Sequence, residues 1–174
     1  MISPSLDYLE RAYQEAVAGR PARRPYVILH FQSLTDPGLA PPGKHTLTLY
    51  GDWVPYRRAD GPWTDANRAA FAEDVLDTVA EYAPNIRDVI RDRMVLVPPD
   101  IERRFNITGG NIFHGDLVLS QVLSLRPIPG FGAHRMPIPR LYLCGSGSHP
   151  GGYVSALPGR NAAIVALADW KARW

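Results

Sequence analysis

Leu141-Tyr142-Leu143-Cys144-Gly145-Ser146-Gly147-Ser148-His149-Pro150-Gly151-Gly152, followed by Pro158-Gly159-Arg160-Asn161-Ala162-Ala163, decides how this chain is read. An apolar run enters a loop of glycine and serine, and a helix of small residues leaves it. Glycine at 145, 147, 151 and 152 lets backbone approach a ligand and tolerates positive φ. Bare N–H groups and the positive end of a helix beginning near Pro158 suit a phosphate or another anionic group. Gly159, Ala162 and Ala163 leave room for a strand or a flat ring. The same residues fit equally well a glycine-rich turn before an amphipathic C-terminal helix.

Several other sites are excluded. A Walker loop needs Gly-Lys-Ser/Thr, which does not follow. A Gly-x-Gly-x-x-Gly fingerprint would match at 145 and 147, but position 150 is proline. Gly145-Ser146-Gly147 is too tight for a Gly-x-Ser-x-Gly elbow, and no carboxylate and histidine follow in order. No His, Cys and carboxylate grouping has metal-ligand spacing. His149 and His114 are loop histidines, each able to touch a ligand or to bond locally. His30 lies in an apolar run and reads as a core residue. Cys144 reads as a packed strand residue. Asp100, Glu102, Arg103 and Arg104 read as a solvated helix face.

Working outward, Ser3-Pro4 predicts a helix start, with Leu6, Leu9, Tyr13, Ala16 and Val17 on one stripe and Gly19 ending it. Tyr26 to Phe31 predicts a buried strand, and His45 to Tyr50 a half-buried antiparallel partner. Proline and glycine between 35 and 44 predict a long ordered turn. Thr64 or Asp65 caps a strong helix with an inner stripe of Phe71, Val75, Leu76, Val79 and Tyr82. Ala83-Pro84 stops it, and 86–91 predicts a short second helix. Met94 to Val97 predicts a third strand, and 99–105 one or two helical turns. The run 117–123 fits helix or strand. The class is α+β: a mixed or antiparallel sheet with helices, then a C-terminal strand, loop and helix.

The chain of 174 residues is long enough for one domain with a core. Its net charge is only +2, and the arginines are scattered among acids, which argues against a nucleic-acid face. No apolar run approaches the ~20 residues of a membrane span. Asp7, Glu10 and Arg11 interrupt any signal peptide at the start. The lone cysteine rules out an internal disulfide and points to a reducing, cytoplasmic setting.

The C-terminal motif closely resembles the flavin-contacting segment of phytoene-dehydrogenase-like FAD-dependent oxidoreductases. Further stretches agree: Leu34-Thr35-Asp36-Pro37, Ala40-Pro41-Pro42-Gly43-Lys44-His45, Tyr82-Ala83-Pro84-Asn85, Gly109-Gly110-Asn111-Ile112-Phe113-His114-Gly115 and Arg126-Pro127. The resemblance covers nearly the whole chain. It is strongest to the branch with a pyridine nucleotide-disulfide oxidoreductase domain.

The resemblance implies a substrate-domain-like part at 1–135 and an FAD-domain segment at 136–174. The latter completes a Rossmann-like domain whose N-terminal half this sequence does not contain. It assigns FAD contact to Gly145, Ser146, Gly147, His149, Gly151, Gly152, Gly159, Asn161 and Ala162, and assigns no catalytic residue. Ile28, Leu47 and Val95 would floor an apolar substrate site. The implied activity is hydride transfer from an apolar small molecule to flavin. The alternative is a non-catalytic binding or dimerisation module without FAD. On the flavin reading, a homo-oligomer or a separate chain is expected to supply the missing half and cover exposed strand edges. The alternative module would bind an apolar small molecule or form a homodimer. Tyr153 departs from the family, which usually has glycine there.

Overall fold

The structure is a computed structural model that describes residues 1–116, 118–151 and 155–172. Two compact units divide it, Met1–Ile101 and Glu102–Trp174. The first carries α1 (Leu6–Val17), β1 (Val27–His30), β2 (Thr48–Gly51), α2 (Asp65–Ala80) and α3 (Ile86–Val89). Helix α4 (Pro98–Phe105) follows, and α5 (Leu157–Lys171) closes the second unit. The class is α+β, as the sequence implies. Among the described residues the sheet is smaller than expected, a single antiparallel pair of β1 and β2.

Helix α1 starts two residues later than Ser3-Pro4 suggests. Ser5 is the cap, its hydroxyl accepting the Tyr8 N–H at 3.1 Å. The inner face is therefore Tyr8 and Ala12, while Leu6, Tyr13 and Val17 are exposed. The Tyr8 hydroxyl fixes this rotation by donating to the Pro25 carbonyl at 2.8 Å.

In the sheet, Val27 lies opposite Gly51 and His30 opposite Thr48. Val27 is fully buried, but His30 is exposed and sets its ring edge-on to Tyr50, so it is not the core residue the sequence suggested. Thr64 caps α2 through a reciprocal box with Asn67. Phe71, Val75, Leu76 and Val79 pack against Ile2, Val27, Trp63 and Val97, while Tyr82 turns outward. Gly51 permits this packing. A Cβ there would sit 2.9 Å from the Phe71 ring.

The third strand does not form. Val97 is buried, yet Pro98 and Pro99 follow at once and begin α4. Proline cannot donate to a ladder, and the Val97 N–H donates instead to the Asp100 carboxylate at 3.2 Å. Asp100 is therefore not on a solvated face. It is buried and held by a two-pronged ion pair from Arg68, at 2.8 and 3.0 Å. This pairing offsets the cost of taking a carboxylate out of water. Within 118–125 the backbone makes short 3-10 turns at Leu119–Gln121 and Leu123–Leu125, neither long helix nor strand.

Candidate functional site

The strand expected at 141–144 reduces to a single antiparallel bridge between Arg135 and Tyr142. Backbone bonds Leu143 N–H to His134 O (2.8 Å) and Met136 N–H to Leu141 O (3.0 Å) frame it. A two-stranded ladder this short has little stability of its own, and side chains reinforce it. His134 is buried, with Nδ1 3.0 Å from the Leu143 carbonyl. Asp169 of α5 accepts both prongs of Arg135, at 2.9 and 2.7 Å, and the Tyr142 hydroxyl at 2.8 Å. Asp169 holds the Arg135 guanidinium above its ordinary pKa, chiefly through these hydrogen bonds. Cys144 is exposed rather than packed, because no continuous strand carries it into a core.

The loop then turns sharply. Gly145 takes φ +84°, and its carbonyl accepts both the N–H and the hydroxyl of buried Ser148, each at 3.1 Å. These two hydrogen bonds close a tight turn over Gly145 to Ser148. The Ser146 carbonyl accepts from Arg126 Nε at 3.1 Å. Arg126 is 1% exposed. It donates further to the carbonyls of Phe113 and Gln121. Gly151, at φ +77°, lies against the same guanidinium, where a Cβ would stand 2.7 Å from Nε.

The remaining predicted residues divide by what they face. Gly145 and Gly159 face open space, with no atom of the described residues within 4 Å of where a Cβ would stand. Gly147 faces only the His114 ring, at 3.8 Å. His149 is half-buried, and its Nδ1 is buried with no hydrogen-bond partner among the described residues. Ala156, at φ 56°, leads into α5, which begins one residue before Pro158. Asn161 is half-buried and Ala162 buried on its first two turns. Gly152 and Tyr153 lie outside the described residues.

An FAD group finds several features here that fit it. The open sides of Gly145 and Gly159 admit close backbone approach, and the buried His149 Nδ1 has no hydrogen-bond partner among the described residues. Sequence reasoning missed Arg126, His134 and Asp169 as site-forming residues. The available signal for Arg126 was a lone charge set among Leu123, Leu125 and Ile128.

In the first unit, Ile28, Leu47 and Val95 are half-buried. None of them lines its open apolar hollow of about 390 Å³, whose walls include Ile2, Leu29, Val79 and Ala83. Among the described residues no acidic, histidine and cysteine group has the makings of a metal site. Among them, too, no helix is long and apolar enough to cross a membrane.

Known proteins resemble this chain over most of its length. It is 43% identical over 164 residues to pyridine nucleotide-disulfide oxidoreductase domain-containing protein 2 of Mus musculus, covering 94% of this chain and 28% of that protein. It is 31% identical over 146 residues to a limonene dehydrogenase component of Castellaniella defragrans, covering 80% and 26%. It is 29% identical over 144 residues to a lycopene-forming phytoene desaturase of Paracoccus, covering 81% and 28%. The chain thus spans under a third of the length of these curated relatives. The likeness supports an oxidoreductase family and singles out no branch of it. No family model matches the chain. No solved structure matches it either.

Proposed function

We propose that this chain contributes the C-terminal part of a flavin-dependent oxidoreductase that takes hydride from an apolar small molecule. Residues 136–174 form the flavin side and 1–135 the substrate side. The observations that carry the reading are two glycines uncovered among the described residues, Gly145 on the loop and Gly159 on the first turn of α5, and a buried His149 nitrogen with no hydrogen-bond partner among those residues.

When bound, FAD supplies the redox centre that accepts hydride. The chain's own residues bind and orient. The turn closed by Ser148 on Gly145 presents loop backbone, and the α5 N-terminus adds its positive dipole end. Gly159 and Ala162 keep side-chain bulk away from the helix start. The names of the relatives, a limonene dehydrogenase and a phytoene desaturase, favour an apolar substrate. The half-buried surfaces around Ile28, Leu47 and Val95 are the proposed place for it.

A partner, either a second copy or another chain, completes the cofactor surface. Ile164, Leu167 and Trp170 face outward along α5 at helical spacing, which supports such a cover.

Size-exclusion chromatography with diode-array detection tests this reading on the purified chain. The expected result is an assembly larger than one chain with flavin absorption, or one that gains it on adding FAD. Gly159→Val fills open space on an ordinary helical backbone, so the variant should fold and lose the flavin. A colourless single chain that quenches no added FAD fluorescence overturns the proposal.

A further inference from the structure

We infer that Arg126 is a positioning residue that clamps the Gly145–Gly151 loop in its ligand-ready shape. Three backbone carbonyls converge on its guanidinium: Phe113, Gln121 and Ser146. They come from separate stretches of the second unit, so one side chain ties the 113 loop, the 121 turn and the glycine loop together. A guanidinium offers five donors in a rigid plane, which suits acceptors arriving from several directions.

The clamp has a second face. Gly151 packs on the Arg126 side chain so closely that a Cβ would stand 2.7 Å from Nε and 2.9 Å from Cδ. The loop is thus held at both ends by the same residue, at Ser146 through a hydrogen bond and at Gly151 through packing. Ser148 locks the intervening turn internally. This explains why Gly151 is glycine without a ligand touching it, whereas Gly145 is glycine with its open side free.

Arg126 is 1% exposed and all three acceptors are uncharged carbonyls. Its positive charge therefore lies beneath the loop at low local dielectric. A buried charge is costly to keep, and dipoles alone repay it only when every donor is well placed. The arrangement also favours an anionic group above the loop, as a diphosphate would present. The inference rests on the flavin reading only for what the loop is held ready to meet.

Hydrogen exchange over peptides 143–151 tests the clamp, run alongside FAD titration of wild type, Arg126→Lys and Arg126→Met. The expected result is loop exchange about tenfold faster in R126M, with the lysine variant between, since losing a buried donor set exposes its acceptors. Peptides covering β1 and β2 should exchange as in wild type. FAD affinity should fall in the same order, and guanidinium ion added to Arg126→Ala should restore it.

Should R126M fail to fold, R126K retains volume and charge and supplies the folded comparison. Unchanged loop exchange in folded R126K and R126M overturns the clamp while leaving the flavin reading standing. A wild type that takes no FAD, with a loop that still loosens in R126M, supports the clamp and removes the flavin reading.

Discussion

Arg68 closes a two-pronged ion pair on Asp100 across 32 residues of sequence, joining the first turns of α2 to the start of α4. The carboxylate also receives the Val97 amide, so one buried group satisfies three donors. Asp100→Ala should strip two of the guanidinium's hydrogen bonds and the one from the Val97 amide, leaving Arg68 its bond to Asp65 at 2.8 Å. Breaking a fully buried pair costs about 3–5 kcal/mol, and Arg68 keeps some water contact, so about 2 kcal/mol is expected. Urea unfolding of the variant checks this. A change within error would mean water replaces the carboxylate freely.

Gly51 is the second sensitive point. Its hydrogen lies where a methyl group would meet the Phe71 ring at 2.9 Å and Val75 at 3.2 Å. Gly51→Ala should cost about 1–3 kcal/mol by overpacking, because the ring sits in the main core. Adding Phe71→Leu should recover part of the loss, and a double-mutant cycle measures the recovery.

Asp52 gives a pH signature. Burial pushes its carboxyl above the usual carboxylate value. An acid whose folded pKa is raised binds its proton more tightly in the folded state. Its burden on stability is absent below the unfolded value of about 3.9, grows as pH rises through the folded value, and is complete above it. Asp52→Asn should raise the thermal midpoint at neutral pH, with the gain disappearing near pH ~3. A gain that persists in acid would trace the effect to packing instead.

Glu73 should behave oppositely. Hydrogen bonds first from Arg87 and then from Arg93 hold its carboxyl below the ordinary value. Its contribution is present above the unfolded value of about 4.3 and is lost as pH falls through the folded one. The group is exposed, so Glu73→Gln should cost only about 0.2–1 kcal/mol at neutral pH and nothing in strong acid. Thermal melts across pH distinguish this pattern from that of Asp52.

Much of the first unit is legible because its signals are local. The Thr64 cap and the Phe71, Val75, Leu76, Val79 stripe lie in one continuous stretch, and β1 and β2 alternate or cluster apolar residues nearby. Met94 to Val97 misleads because its composition favours a strand, while the two prolines after it start a helix. Asp100 misleads because charged neighbours at 102–104 suggest solvent, and its partner Arg68 lies far off in sequence. In the second unit, glycine spacing exposes the loop but not its support. Arg126, His134 and Asp169 act through backbone carbonyls or distant side chains, for which short motifs have no spacing.

Asp169 has a reach beyond local bonding. By gripping Tyr142 and Arg135 from the far end of α5, it cinches about thirty residues into a purse whose mouth is drawn shut without a covalent link. Asp169→Asn should loosen this closure, read as faster hydrogen exchange over peptides 134–143 with β1 and β2 unchanged; equal exchange in the variant would show that the bridge stands without it.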